Sequence, residues 1–292
     1  MPDPAAILEE TLRGIYGEST KIIRISPVAG GSINQSFRLD LESKLRLFCK
    51  TNSWSAFPAL FEKEKSGLIL LGSSGLVQVP AIISCAKHQD LQFLVMEWID
   101  QKTPRNSCFE TLGSQLAALH KLKEARFGFG EDNFMGSFPQ SNKQHHDWAG
   151  FLTEERLKPQ LAMAIQKKLL SRENIAPFET VFIKIPGIFN EEEPCLLHGD
   201  LWSGNFLCSI DEQPVLIDPA CYYGHRSMDL AMTTLFGGFG KKFYEAYAYH
   251  YPLPSNYREQ WEIASLYPLL IHLNLFGSSY LRSILEIIRR FR

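Results

Sequence analysis

The chain has 292 residues, of which 45% are hydrophobic and 21% are charged, and its formal net charge is -2. This composition provides for a sizeable buried core and argues against disorder. No basic excess points to nucleic acid as a partner. The length exceeds what one compact core usually needs and suits two lobes.

We expect no export signal and no membrane span. The first ten residues are acidic rather than basic and lead into no apolar run of a signal peptide. The most apolar stretch, residues 266–276, is too short to cross a bilayer. Six scattered cysteines without a Cys-x-x-Cys pair are typical of a reduced, cytoplasmic protein. Cys195, His198, Cys208 and Cys221 have no spacing that is standard for zinc.

Strand patterns dominate the first hundred residues. A helix is predicted first, over residues 5–16, and alternating apolar residues then predict strands on either side of a second helix. The predicted strands are 22–27, 36–41, 45–50, 81–86 and 93–98, and the second helix is 56–71. A polar stretch that contains a proline follows over residues 99–105 and is interpreted as a linker.

Helical periodicity takes over after this linker. Helices are predicted over residues 108–122, 147–170 and 175–184, and most of the chain from residue 228 onward is also predicted helical. A loop is predicted over residues 127–140, and short strands surround residues 198–220. The predicted fold is therefore α+β and bilobal, with a β-rich N-terminal lobe over residues 1–98 and a mainly helical C-terminal lobe over 99–292.

The segment 198–205, which reads HGDLWSGN, carries the strongest chemical signal. Protein kinases have a catalytic Asp followed, after four residues, by an Asn that binds magnesium, and Asp200 and Asn205 have this spacing. Asp218 stands thirteen residues further on, behind a short apolar strand, where a carboxylate can hold a metal ion. This joint spacing predicts phosphoryl transfer, with Asp200 as the base and Asn205 and Asp218 as magnesium ligands.

A partner set for ATP phosphates is predicted upstream. Lys50 ends a predicted strand, from which its ammonium could reach the α- and β-phosphates. Such a lysine needs an orienting carboxylate, and Glu64 on the next helix is the first choice, with Glu62 as the second. Alone, both residues would more simply be solvated surface groups.

Two further segments are predicted to bind ATP. Gly30, Gly31 and Ser32 lie between two predicted strands, where a glycine turn lets backbone amides approach phosphates. This turn is weak evidence alone, because a Gly-Gly pair usually marks a hairpin. The adenine is expected beside the strand that enters the linker, near Glu97 and Ile99, where backbone groups would recognise it.

With these motifs the chain resembles the fructosamine kinases, also called ketosamine-3-kinases. The matching segments cover nearly the whole chain, and the Trp within the catalytic loop and the FGGF sequence at residues 236–239 separate this family from general phosphotransferases. The matches are 30–34, 61–64, 132–136, 198–205, 217–220, 222–226, 229–232, 235–239 and 267–270.

The resemblance implies a fold like that of protein kinases and aminoglycoside phosphotransferases. It implies transfer of the ATP γ-phosphate, with Mg²⁺, to the O3 hydroxyl of a ketosamine, which is a sugar joined to a free amine or to a protein lysine. The product releases the amine, so the family is associated with deglycation. It also implies that Trp202 forms a wall of the sugar site, where an aromatic face packs against sugar C–H groups.

Two departures from the family pattern and two rival functions remain at this point. Ser227 stands where the family often has Glu, and Ser32 stands where some relatives have Cys in the glycine loop. The ATP residues alone would serve equally a kinase of another alcohol, such as an aminoglycoside or choline. A nucleotide-binding protein without catalysis is the second rival, although retention of Asp200, Asn205 and Asp218 argues against it. Oligomeric state is not predicted.

Overall fold

The N-terminal part is a five-stranded antiparallel sheet with one helix on each face. The structure, a computed structural model, describes residues 4–29 and 33–291. The strand order is β1-β2-β3-β5-β4. The strands are β1 (Ile22–Pro27), β2 (Gln35–Leu41), β3 (Arg46–Ser53), β4 (Ile82–His88) and β5 (Leu91–Glu97), and the helices are α1 (Pro4–Tyr16) and α2 (Leu60–Ser73).

Strand β5 explains why this sheet is covered on both sides. Its central residues are all apolar and buried, and successive side chains of a strand point to opposite faces. Phe93 and Val95 therefore join the cluster formed with α1, whereas Leu94 and Met96 join the cluster formed with α2. This packing places α2 against the sheet, beside the strand that carries Lys50.

The part after residue 105 is mainly helical. Its helices are α3 (Asn106–Leu119), α4 (Trp148–Phe151), α5 (Lys158–Gln166), α6 (Ile175–Ile188), α7 (Ser227–Leu235), α8 (Lys241–His250), α9 (Tyr257–Phe276) and α10 (Leu281–Arg290), and a π-helical turn over Leu152–Leu157 joins α4 to α5. Three two-stranded antiparallel pairs accompany them. These are β6 (Asn133–Met135) with β7 (Phe138–Gln140), β8 (Cys195–Leu197) with β11 (Tyr222–Gly224), and β9 (Phe206–Cys208) with β10 (Pro214–Leu216).

Helix α9 lies in the centre of the largest apolar cluster. Nearly all of its residues from 263 to 274 are buried, which agrees with the apolar character of that stretch. Within the residues that the structure describes, no helix is long and apolar enough to cross a membrane. All six cysteines are free thiols.

The α+β prediction, with a β-rich first part and a helical second part, is confirmed. The lobe boundary after residue 98 stays a prediction. Three local expectations differ from the structure: residues 127–140 contain the β6–β7 hairpin, the predicted helix 147–170 is divided into three segments, and the strand of Lys50 continues to Ser53. The hairpin was missed because its strands have only three residues each, which is too short for an alternation pattern.

Candidate active site

The backbone of the segment 198–205 is held by one buried carboxylate. Asp229, in the first turn of α7, is 1% exposed. Its Oδ2 accepts the backbone N–H of His198 at 2.8 Å, and its Oδ1 accepts that of Gly199 at 2.9 Å. Charge-assisted bonds of this kind are about twice as strong as neutral ones. Asp229 therefore fixes the backbone that leads into Asp200.

Asp229 is itself held by a second buried side chain. The Nε2 atom of His120 lies 3.2 Å from Asp229 Oδ2, and the Nδ1 atom lies 2.8 Å from the Tyr247 hydroxyl. Burial alone would raise the pKa of Asp229, but the hydrogen bond and charge of His120, with further hydrogen bonds, hold it below the usual value. Burial lowers the pKa of His120. This chain of contacts connects the loop to α3 and α8.

His198 connects the segment 198–205 with the loop that follows β10, residues 217–221. Its Nε2 donates to the carbonyl of Ile217 at 2.9 Å, and its Nδ1 accepts the backbone N–H of Asp200 at 3.2 Å. The ring is neutral in this arrangement because Nδ1 accepts a hydrogen bond, and burial lowers the pKa of His198 in agreement. Both ring nitrogens are occupied by backbone groups, and the geometry is that of a structural residue rather than of a proton carrier.

Gly199 lets these loops approach each other closely. Its φ is +83°, and an added Cβ atom would lie 2.0 Å from the carbonyl oxygen of Ala220. The backbone N–H of Ala220 donates to the carbonyl of His198 at 2.9 Å. A side chain at position 199 would therefore push the two loops apart.

Asp200 and Asn205 are directly hydrogen-bonded. The Nδ2 group of Asn205 donates to Asp200 Oδ2 and to the Asp200 backbone carbonyl, both at 2.9 Å. Asn205 is 4% exposed, so this orientation of the amide is enforced by packing. Because the amide N–H groups are directed to Asp200, Oδ1 is the atom of Asn205 that could bind a cation.

The carboxyl group of Asp200 has a strongly raised pKa. Burial and, after it, the charge of Asp218 raise its pKa well above the usual value, while the Asn205 hydrogen bond opposes the shift. A raised pKa makes a carboxylate a better proton acceptor near neutral pH. The negative charge of Asp229 adds a smaller contribution in the same direction.

Lys50 brings Glu64 and Asp218 together. Its Nζ lies 2.7 Å from Glu64 Oε1 and 2.5 Å from Asp218 Oδ1, and the residue is 3% exposed. Burial alone would lower the pKa of Lys50, but the charges of Asp218 and Glu64 raise it above the usual value. The first-choice partner of Lys50 is thus in contact with it. Glu62 Oε2 is buried and has no hydrogen-bond partner among the described residues.

Asp218 has an unusual backbone conformation. Its φ is +56°, in the left-handed region, which is uncommon for a residue other than glycine and costs free energy. It lies two residues after β10, and its side chain is 38% exposed. The oxygen atoms of Asp218 and Asn205 are hard donors of the type that Mg²⁺ prefers, so these residues fit the ion.

Trp202 is exposed beside this cluster. Its side chain covers Gly204, where an added Cβ would lie 2.2 Å from the indole ring. Trp202 and Phe236 are each 38% exposed, and their ring centroids are 6.1 Å apart in an edge-to-face arrangement. Phe236 is therefore a partly exposed ring beside Trp202 and not a core residue. The FGGF sequence pointed to this segment, but no periodicity indicated on which side the Phe236 ring would lie.

The remaining residues predicted to bind ATP lie at and just after the end of β5 and, in the sequence, before β2. Glu97 ends β5, and its backbone N–H donates to the carbonyl of Ala81 at 2.8 Å, while its Oε2 accepts the backbone N–H of Ala81 at 3.2 Å. Ile99 lies in the segment that leaves the sheet. Gly30, Gly31 and Ser32 lie outside the described residues. The departure at Ser227 is accommodated locally, since its hydroxyl lies 2.8 Å from His225 Nδ1.

Comparison with known proteins agrees with this geometry. The family model described as "Fructosamine kinase" matches residues 5–292. The chain is 38% identical to the protein-ribulosamine 3-kinase, chloroplastic, of Arabidopsis thaliana, over 97% of this chain and 88% of that protein. Two crystal structures assigned as fructosamine-3-kinases are similar. That of Haemophilus somnus has a TM-score of 0.89 at 27% identity, covering 97% of this chain and 96% of the other.

The second crystal structure, from Thermobifida fusca, has a TM-score of 0.87 at 31% identity and covers 97% of this chain and 98% of the other. Sequence and structure thus agree over nearly the full length of both partners. This agreement confirms the kinase-like bilobal fold and the expected resemblance. The chain belongs to the fructosamine kinase family.

Proposed function

We propose that this chain transfers the γ-phosphate of ATP to the O3 hydroxyl of ketosamines, in the repair of glycated amines and proteins. The observation that carries the proposal is the juxtaposition of two sets. Asp200 is bonded to Asn205, while Lys50 joins Glu64 and Asp218 nearby. The family membership supports a phosphotransferase that uses ATP and acts on an alcohol.

Each group then has a role in the transfer. Asp200 accepts the proton of the attacking hydroxyl, and its raised pKa suits that task. Lys50, oriented by Glu64, binds the phosphates of ATP. Mg²⁺, when bound by Asn205 and Asp218, would neutralise charge that develops on the phosphates. The glycine turn at residues 30–32, Glu97 and Ile99 are proposed to bind the phosphates and the adenine.

The acceptor side is proposed to lie at Trp202. Its indole is exposed and follows the base by two residues in the sequence, so a sugar stacked on it would present hydroxyls to Asp200. The relative from Arabidopsis is named for a protein-linked ribulosamine, and this supports a glycated lysine among the substrates. We propose that both free and protein-linked ketosamines are accepted.

A panel of acceptors tests this proposal. The purified protein would be incubated with ATP, Mg²⁺ and, in turn, ribulosamine, erythrulosamine and fructosamine compounds, choline and an aminoglycoside, while ADP release is measured. We expect turnover with ketosamines and none with the amino alcohols. Turnover of choline or the aminoglycoside alone would instead support the rival kinase function, and binding of ATP without turnover of any acceptor would support a non-catalytic protein.

A matched pair of variants tests the base. Asp200→Asn should lower kcat by about a thousandfold, because general base catalysis contributes factors of this order. Asp211→Asn makes the same change at an exposed turn residue and should have wild-type kcat. Undiminished activity in Asp200→Asn would show that another group accepts the proton.

A further inference from the structure

The β6–β7 hairpin ends in a chain of buried polar side chains. The Tyr267 hydroxyl donates to Gln140 Oε1 at 2.8 Å, and Gln140 Nε2 donates to Asn133 Oδ1 at 2.7 Å. Gln140, Tyr267 and Asn133 are 2%, 3% and 9% exposed. Burying such groups costs free energy unless each is hydrogen-bonded. The backbone carbonyls that accept the last hydrogen bonds in this series show which segment the hairpin holds in place.

These side chains hold the backbone that follows Asp218. Gln140 Nε2 also lies 3.3 Å from the carbonyl of Ala220, and Asn133 Nδ2 donates to the carbonyl of Cys221 at 2.8 Å. Ala220 and Cys221 are the second and third residues after Asp218. His198 and Asn205 bind backbone groups of residues 217, 218 and 220 from the other loop. Hairpin and catalytic loop thus hold this segment from two sides.

The same hairpin contacts the helix that carries Glu64. Phe134 packs against the cluster that α2 forms with the sheet. Glu131, just before β6, accepts from Lys63 Nζ at 2.6 Å, and Lys63 precedes Glu64 on α2. The hairpin therefore contacts the elements of both carboxylates that pair with Lys50. Its conformation bears on how Glu64 and Asp218 are placed relative to each other.

We propose that Gln140 is a positioning residue, which fixes the direction of the Asp218 carboxylate by holding the backbone of residues 220 and 221 together with Asn133. Asp218 needs such support because its left-handed backbone conformation is costly and would relax if the segment were free. The Tyr267 hydroxyl selects the amide orientation in which Nε2 faces Ala220. This inference rests on the proposed function only in treating Asp218 as a metal ligand.

Direct measurement of metal binding tests the proposal. Mn²⁺ affinity in the presence of ADP would be measured by electron paramagnetic resonance for wild type and for Gln140→Met, which keeps the side-chain length and removes the hydrogen bonds. We expect about tenfold weaker Mn²⁺ binding, the size of effect found for outer partners of metal ligands. In the ketosamine assay kcat should fall similarly, while KM for the ketosamine stays unchanged.

Gln160→Met is the matched control. Gln160 is also buried, at 4% exposure, and is hydrogen-bonded to Asn274 of α9, the helix that carries Tyr267, but it does not bond to the segment after Asp218. This variant should bind Mn²⁺ as wild type does, whatever its stability. Equal Mn²⁺ affinity in Gln140→Met and Gln160→Met would overturn the proposal.

Tyr267→Phe covers the case in which Gln140→Met does not fold. It removes one hydroxyl with little change in side-chain shape and should weaken Mn²⁺ binding measurably but less than Gln140→Met does, since only the amide orientation is lost. Unchanged Mn²⁺ affinity in this variant would also overturn the proposal. If wild type phosphorylates no ketosamine but the Mn²⁺ affinities still differ as expected, the proposed substrate is wrong and the positioning role stands.

Discussion

The region around Asp229 and the region around Lys50 differ in how well their negative charges are compensated. Asp229 is 1% exposed and accepts backbone N–H groups and a histidine, so its charge is well compensated. Around Lys50 one ammonium contacts two carboxylates, and the nearby Asp200 adds a third. The first region holds a loop, whereas the second retains an excess of negative charge that suits a cation.

The difference shows in the directions of the pKa shifts. Asp229 has a lowered pKa, because its hydrogen bonds outweigh burial. Asp200 and Glu64 have raised pKa values, with burial as the first cause in each. A lowered carboxyl pKa means that the fold stabilises the charged form, which is typical of a structural group. A raised carboxyl pKa means that the fold destabilises the charged form, which is typical of functional sites. Four predictions test this contrast, ordered by the expected change in the free energy of unfolding.

Asp229→Asn should destabilise the fold most, by about 3 kcal/mol. The amide keeps one acceptor but turns its N–H group toward a backbone donor, which leaves buried hydrogen-bonding groups of His198 or Gly199 unmatched. Urea unfolding at pH 7 measures the change. A loss below about 1 kcal/mol would mean that Asp229 is not the anchor that the geometry indicates.

Stability should depend on pH through His225, whose pKa is lowered by burial to about 4. In the unfolded chain the value is about 6.5. Below pH 6.5 the unfolded state therefore binds a proton that the folded state does not, so the free energy of unfolding decreases as the pH is lowered. Well above pH 6.5 His225 is neutral in both states and does not reduce the stability. For this residue the loss between pH 7 and pH 5 is about 2 kcal/mol.

Comparison with a variant isolates this term, because His120 and His198 act in the same direction and the raised carboxylates act in the opposite one. His225→Asn keeps an acceptor for Ser227 and removes the titration. Its free energy of unfolding should change less with pH between 7 and 5 than that of wild type. An identical pH dependence in both proteins would contradict the prediction.

Asp200→Asn should raise the stability of the protein without ligands by about 1 kcal/mol at pH 8. The raised pKa of Asp200 means that its ionised form is disfavoured in the fold, and this cost, which grows as pH rises through the folded pKa, is absent in the amide. Thermal unfolding at pH 8 and pH 5 measures it. The gain should shrink at the lower pH, and a lower Tm at pH 8 would show that the charge is already compensated.

Lys63→Gln should have the smallest effect, below about 1 kcal/mol. Its ion pair with Glu131 is partly exposed, and such pairs contribute little and are screened by salt. Urea unfolding in low and high salt measures the pair, and the difference between variant and wild type should vanish at high salt. A larger loss, independent of salt, would mean that the hairpin and α2 depend on this contact.

Much of the site could be predicted because its residues lie close in sequence behind short apolar strands. Asp200, Asn205 and Asp218 were predicted from spacing, and the pairing of Lys50 with Glu64 followed from a lysine on a strand and a carboxylate on the next helix. The roles of Gln140, Asn133 and Tyr267 could not be predicted. Gln140 and Tyr267 are 127 residues apart, and neither belongs to a periodic pattern.

The sequence alone therefore determined the order of the five N-terminal strands and their two helices, the kinase-like fold class and the set of groups proposed for phosphoryl transfer, because local periodicity and fixed spacing encode them. The tertiary structure decided the direction of the pKa shift of each site residue, its hydrogen-bond partners and its exposure to solvent. Burial raises the pKa of Asp200 and lowers that of His198, although the two residues are only two positions apart in the sequence. Such pKa shifts depend on burial and on nearby charges, and both arise only when segments that are remote in the sequence pack together. The same holds for the contacts of the hairpin with Ala220 and Cys221.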